Sequence, residues 1–307
     1  MKKHYITLLL LCACQSSTPE HNETSTAQIH ISAQIESTTP TKSNYGSAQN
    51  INRCLMEVYR SSTGELLERL HSNILNKSAE FDISLNSDES YDFILWADCS
   101  SSTDTQTPFS SDYHYFTTTL KEVNLDYYNY SGNDDTRDAF CTSFNKSFST
   151  NEDYTIELTR PFGQLNIYTH LSDVIASLCP KFIEISYTKN LPSTFNALSS
   201  TATGLQKVSW NKVAPVIDSH KSLPDSTWVH LATDYILVTK SEGATLIDFV
   251  VNFYDADSVF ITSNNSFINI PIQANHTTDI TGELLTQQCS IGISIDPSFE
   301  SDTTISN

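Results

Sequence analysis

The chain has 307 residues, enough for two domains of ordinary size. Charged side chains make up only 17 % of it, yet 36 acids oppose 17 bases, a net charge of −19. Such a surface excludes nucleic acid, which needs a basic face, and disfavours anionic membrane. It keeps the chain soluble and self-repelling.

The first predicted element is a targeting segment. Lys2-Lys3 is a charged start, and Tyr5–Leu11 is an apolar run too short to span a bilayer. The run ends in Leu11-Cys12-Ala13-Cys14, which resembles the lipobox of bacterial lipoproteins. Residues 1–13 then form the leader and Cys14 the lipidated first residue. Cys12 fits less well, because Leu11 would stand where a small residue belongs. Residues 14–25 read as a polar tether with little to bury.

Ala27–Glu36 alternates apolar and polar side chains, the mark of a half-buried strand. Ile29, Ile31, Ala33 and Ile35 share one face. Residues 51–60 and 65–71 flank Ser-Ser-Thr-Gly and read as a hairpin. Residues 81–85 and 91–97 read as a strand pair, and Phe93–Trp96 is a continuous apolar run suited to a deeply buried strand. Residues 113–120, 122–130 and 137–147 are further strands.

Asp153–Thr169 organises the rest. Its alternation breaks at Arg160-Pro161, where proline cannot donate to a ladder, and resumes after Gly163. This predicts the last strand of one domain, a corner, and the first strand of the next. The domains are residues 26–160 and 161–307, both β-sandwiches. Residues 171–178 suggest a helical turn, 181–188 a strand, and 191–203 either a short helix or a loop. Residues 227–240 and 244–254 flank Ser241-Glu242-Gly243, a hairpin signal. Strands at 266–273, 277–285 and 287–295 follow, the last placing Cys289, Ile291, Ile293 and Ile295 on one face.

Past the leader, the cysteines are Cys54, Cys99, Cys141, Cys179 and Cys289, with no CxxC pair for zinc or redox chemistry. They are either buried free thiols or, in an oxidising space, partly bridged. Cys99 and Cys141 lie in one predicted sandwich and are the expected pair.

Several stretches, in this order, resemble the fimbrillin-type lipoproteins of Bacteroidales, subunits and relatives of type V pili. They are Tyr91–Asp98, Tyr127–Phe140, Leu158–Leu165, the YILV run from Tyr235, Phe267–Leu285 and Ser294–Glu300. The resemblance implies an all-β fold of two tandem transthyretin-like sandwiches, outer-membrane anchoring at the cell surface, and assembly by strand exchange. It implies no enzyme activity. In polymerising members an arginine-specific protease cuts after the first strand. Here no Arg precedes Arg53, which lies inside a predicted strand, so retention of the anchor is expected.

The expected role is therefore a non-enzymatic pilus subunit, anchor or accessory protein supporting adhesion, with other subunits or itself as partner. The alternative is a monomeric surface lipoprotein that binds glycan or a host protein. The strand-exchange candidates are Ile29, Ile31, Ala33 and Ile35 as the removable strand, and Ile291, Ile293 and Ile295 as the donor.

No HExxH, GxSxG, P-loop or GxGxxG motif occurs, and no cofactor or metal is expected. His114 reads as a solvated strand histidine, and Asn133-Asp134-Asp135 as a turn rather than a calcium loop. Tyr127, Tyr128 and Tyr130 form an aromatic cluster that fills a core or stacks on sugars. Asp225-Ser226-Thr227, Asp257-Ser258-Val259 and Asp302-Thr303-Thr304 resemble short O-glycosylation acceptors. The Cys14→Ser variant should stay unprocessed or soluble and take up no labelled palmitate. Label on the variant would refute the lipobox.

Overall fold

The computed structural model describes residues 25–35, 45–87, 89–101, 112–176, 180–215, 227–286 and 291–296. Cys12, Cys14, Cys179 and Cys289 lie outside these residues. The described residues are almost entirely β-structure. Up to residue 160 the strands are β1 (Thr26–Ile35), β2 (Arg53–Arg60), β3 (Glu65–Asn73), β4 (Ser78–Asn86), β5 (Ser90–Asp98), β6 (Tyr115–Thr119), β7 (Glu122–Leu125), β8 (Ala139–Ser147) and β9 (Glu152–Leu158). After it come β10 (Phe162–His170), the short helix α1 (Leu171–Ala176), β11 (Phe182–Tyr187), β12 (Leu191–Asn196), β13 (Thr201–Gln206), β14 (Trp228–Leu237), β15 (Ala244–Tyr254), β16 (Phe260–Gln273), β17 (Thr277–Gly282) and β18 (Ile291–Asp296).

They form five sheets. Sheet A has the order β4-β1-β9, sheet B β3-β2-β5-β8, sheet C β13-β12-β7-β6, sheet D β14-β10-β17-β18, and sheet E β11-β15-β16. Sheet B is a middle layer. Phe93, Leu95 and Ala97 of β5 join a core with sheet A, while Ile94 and Trp96 join a core with sheet C. Both faces of β5 are thus dry, which explains an apolar run without alternation. β1, covered on one face only, keeps strict alternation: Ala27, Ile29, Ile31, Ala33 and Ile35 are all buried. Sheets D and E enclose the other large core, built on Leu165, Ile167, Ile185, Phe249, Val251 and Phe267.

Several expected pairings are redrawn. Residues 81–85 and 91–97 do not pair: β4 joins β1 and β5 lies between β2 and β8. Ser241-Glu242-Gly243 is not a hairpin turn either. Residues 240–242 form a 3-10 turn, Gly243 takes φ 73°, and β14 and β15 leave for different sheets. The ambiguous stretch 191–203 contributes β12 and the start of β13, which pair with each other. The division at residue 160 is crossed, because β12 also pairs with β7 and the core beneath sheet C takes Phe162, Tyr235 and Leu237 from sheet D.

The expected Cys99–Cys141 bridge is not formed; Cys54, Cys99 and Cys141 are separate thiols. The register explains this. Cys141 lies opposite Trp96, so Cys99 is three residues further along the partner strand. That offset is about 10 Å, beyond disulfide reach.

Two buried polar centres tie the halves together. Asp234 of β14 accepts from Tyr130 Oη at 2.5 Å, Tyr187 Oη at 2.5 Å, Trp210 Nε1 at 3.0 Å and its neighbour's N–H, that of Tyr235, at 2.8 Å. Burial pushes its carboxyl pKa up, and these donors oppose the rise. Gly132 is required beside them, since a Cβ there would meet the Trp210 ring at 1.9 Å.

The second centre is Arg160, at the corner before Pro161. It holds Asp138 through Nε at 2.7 Å and Nη2 at 2.8 Å, both side chains fully buried, and donates to the Gly46 carbonyl at 2.5 Å. Its guanidinium lies 4.4 Å from the Phe140 ring centre. Arg160→Met should cost about 3–5 kcal/mol by stranding a buried carboxylate, while Arg160→Met with Asp138→Leu should recover most of that loss. Urea unfolding of the three proteins decides; a single variant no worse than the double one would dismiss the latch.

Candidate functional site: the first and last strands

β1 is the central strand of sheet A. It runs antiparallel to β4 from Thr26 opposite Asn86 to Gln34 opposite Ser78, and parallel to β9 from Ile29 beside Glu152 to Ile35 beside Leu158. Its inward side chains fill the core shared with Met56, Phe81, Phe93 and Leu95. Its outward side chains are bonded as well. His30 Nδ1 lies 2.9 Å from Asp82 Oδ1 and its Nε2 3.2 Å from Glu80 Oε2. The hydrogen bond to Asp82 leads the causes that raise the imidazole pKa. Gln28 reaches Ser84 Oγ at 2.9 Å.

Taking β1 away would expose a slot between β4 and β9, with ladder groups on both walls and an apolar floor. Ile29, Ile31, Ala33 and Ile35 are thus brought together as expected, each at most 4 % exposed. After β1 the described chain resumes at Tyr45. Tyr45 Oη donates to the Asn133 carbonyl at 3.2 Å and its ring meets His230 edge-on. Gly46 N–H donates to Asp135 Oδ1 at 2.7 Å and to Tyr235 Oη at 3.0 Å. Burial raises the Asp135 carboxyl to about 6. The chain that follows β1 is therefore clamped at the joint, beside Arg160.

Among the described residues β18 occupies one edge of sheet D and pairs with β17 alone, from Thr277 opposite Asp296 to Gly282 opposite Ile291. Ile293 and Ile295 share a face but remain 43 % and 38 % exposed, and Ile291 is half-buried. The donor candidates are therefore brought together on a loosely covered strand. Asp279 of β17 stands opposite Ser294 and accepts from Asn166 Nδ2 at 2.8 Å. Burial, with the charge of Asp296 as a lesser cause, raises its carboxyl to about 6.

The remaining sequence candidates have structural work. His114 is buried rather than solvated, with Nε2 2.7 Å from Thr136 Oγ1, and burial lowers its pKa to about 4. Asp134 caps the 3-10 turn 135–137 and Asp135 bonds Gly46 and Tyr235, so the Asn133–Asp135 stretch is a turn as expected. Tyr130 is buried on Asp234 and Tyr127 Oη donates to the Pro192 carbonyl at 2.7 Å, so of the tyrosine cluster only Tyr128 is open to solvent. Arg53, the earliest arginine, is 2 % exposed and grips Asp98 bidentately at 2.8 and 2.7 Å. In the folded chain its peptide bond is shielded from protease. Sequence reasoning missed Asp234 and the role of Arg160. The one signal was an arginine placed in an alternating strand just before a proline.

Asp279 makes the last strand pH-sensitive. A carboxyl raised from 3.8 to about 6 favours folding below its unfolded value, and that advantage is lost as pH rises through 6. The loss is on the order of 3 kcal/mol. Amide-exchange protection in β17 and β18 should fall between about pH 4 and 6, and Asp279→Asn should flatten that change. An unaltered pH profile in the variant would refute the assignment.

Solved structures are similar to this chain at low identity. A DUF1812 protein of Bacteroides thetaiotaomicron, a proposed polysaccharide-binding protein, superposes with TM-score 0.50 at 11 % identity, over 88 % of this chain and 96 % of its own. A proposed cell-adhesion protein of Bacteroides uniformis gives 0.49 at 12 %, over 88 % and 96 %. The tip fimbrial protein Mfa3 of Porphyromonas gingivalis, truncated at its C-terminus, gives 0.46 at 10 %, over 89 % and 99 %. Among curated proteins none matches the chain. The model of a family of unknown function, DUF6562, matches residues 19–307, and the chain belongs to that family.

Proposed function

We propose that the protein is a non-enzymatic, lipid-anchored surface subunit of the pilus type, serving adhesion and able to assemble by exchange of β1. The observation that carries this reading is the placement of β1. It is the first strand of the fold, yet it sits between two others and supplies five buried apolar side chains. Its bond to β9 is parallel, the weaker kind of ladder. A slot with two unsatisfied edges accepts an extended strand from another chain with gain of main-chain hydrogen bonds and apolar burial.

β18 has the chemistry of the incoming strand. It repeats isoleucine at every second position, as β1 does at 29 and 31, and gives up only one ladder by leaving. Each isoleucine moved from partial exposure into the slot adds about 1 kcal/mol. The sequence resemblance to fimbrillin-type lipoproteins and the Cys14 lipobox support the surface address. Division into two transthyretin-like sandwiches belongs to the same reading, with sheet C as an addition that laps over both. Burial of Arg53 supports retention of the leader strand and hence an anchoring or accessory position.

Deletion of residues 15–36 should give oligomers or aggregates where the intact chain is monomeric. Further removal of residues 287–307 should return a poorly stable monomer. Size-exclusion chromatography and negative-stain images read both. A deletion protein that is monomeric and as stable as the parent would dispose of strand exchange through this slot.

A further inference from the structure

The two faces of sheet C differ sharply in chemistry. Its inner face is core: Tyr115, Val123 and Phe195 are at most 3 % exposed. Its outer face is open, and the strand register defines it. Phe116 lies opposite Asn124, Asn124 opposite Thr194, and Thr194 opposite Thr203, so the four stand in one row across all four strands. Thr194 Oγ1 donates to Asn124 Oδ1 at 2.8 Å, which orients both polar groups. Phe116 at one end of the row is 48 % exposed, and Leu205, two residues beyond Thr203, is 70 % exposed.

Two exposed tyrosines lie near the end of the row. At the open end of the β6–β7 hairpin the Asp126 N–H donates to the His114 carbonyl at 3.0 Å. Tyr113 and Tyr128 flank this pair in sequence, 49 % and 81 % exposed. Asp126 Oδ1 accepts from the Tyr128 N–H at 2.8 Å and fixes the turn that presents Tyr128.

The row itself carries no charge, although Glu122 and Asp126 stand two residues either side of Asn124 along the chain. Sheet A offers the contrast, with Glu80, Asp82 and Asp153 around His30 on its outer side. Rings that carry electron density on their faces attract C–H groups, and hydroxyl and amide side chains both donate and accept. A sugar ring has the matching pair of features, a C–H face and a rim of hydroxyls. A polyanion would find no cation in the row and would meet Glu122 and Asp126 beside it, while a polycation would find the denser acidic cluster around His30 on sheet A.

We propose that the outer face of sheet C binds a neutral polysaccharide chain, with Phe116 and Tyr128 as stacking surfaces and Asn124, Thr194 and Thr203 as hydrogen-bonding groups. This deepens the adhesive part of the proposed function by naming a ligand class, and it is independent of strand exchange. The face belongs to an intact sheet, with β1 in place elsewhere. All three strand pairings of sheet C support it, including the one that joins the two halves of the chain.

The test uses the full mature chain without its lipid, run in native gels cast with dextran, yeast mannan, xyloglucan or mixed-linkage β-glucan, and with heparin as the anionic control. At least one neutral polymer should retard the protein and heparin should not. Phe116→Ala and Tyr128→Ala should each weaken retardation about fivefold, at unchanged melting temperature, while Tyr128→Phe keeps it. Free migration in all four neutral gels would overturn the proposal. So would retardation that survives Phe116→Ala combined with Tyr128→Ala. Concentration-dependent dimers that vanish in those variants, without retardation in any neutral gel, would assign the face to a second copy and overturn it as well. A negative result leaves the oligomers of the 15–36 deletion unaffected, so the two readings fail separately.

Discussion

The structure depends on one buried charge. Arg160 sits at the corner where β9 ends, with both it and Asp138 removed from water. An unpaired guanidinium in that position would be costly, so the pair has a single acceptable geometry. That geometry fixes three segments at once: the end of β9, the start of β8, and the chain at Gly46. Pro161 then turns the chain away from sheet A without losing a ladder hydrogen bond, and Phe162 begins β10. Asp135, Tyr235 and Asp234 continue the polar joint toward the second core. Burial raises the pKa of both carboxyls, and donors from both halves of the chain oppose the rise.

This joint lies apart from the two strands proposed to exchange. The chain after β1 is pinned at Tyr45 and Gly46, so loss of β1 need not disturb the corner. β1 itself is held by burial and by two ladders, with no buried ion pair of its own. β18 is held by one ladder, beside a carboxyl whose pKa burial raises to about 6. Stability is distributed unevenly, and the two strands proposed to exchange lie outside the ionic centre.

The outer faces are divided in the same way. The acidic groups around His30 lie on sheet A, whereas the row across sheet C is neutral and aromatic at one end. Strand exchange and glycan recognition would therefore use different sheets of one molecule, and a polymer of such subunits would present many weak sites at once. Repetition of that kind raises avidity without strengthening any single contact.

Local alternation was enough to place most strands. A period of two is a property of neighbouring residues, so β1, β9 and β10 were legible, as was the double burial of β5 from Phe93–Trp96. The break at Arg160-Pro161 was legible too, because proline removes a donor wherever it stands. Pairing was not legible. Whether Ser241-Glu242-Gly243 closes a hairpin or turns a corner depends on which sheets await β14 and β15, and that is decided by cores built from distant residues. The link from β12 to β7, the separation of Cys99 from Cys141 and the four donors on Asp234 have the same origin. So does the uncharged row across sheet C. Phe116 and Thr203 are 87 positions apart in the numbering, and only the registers β6–β7–β12–β13 set them in one row. Sequence alone determined which residues turn inward along a strand. The tertiary structure decided which strands meet, because that choice balances long-range closure entropy against burial shared by the whole chain.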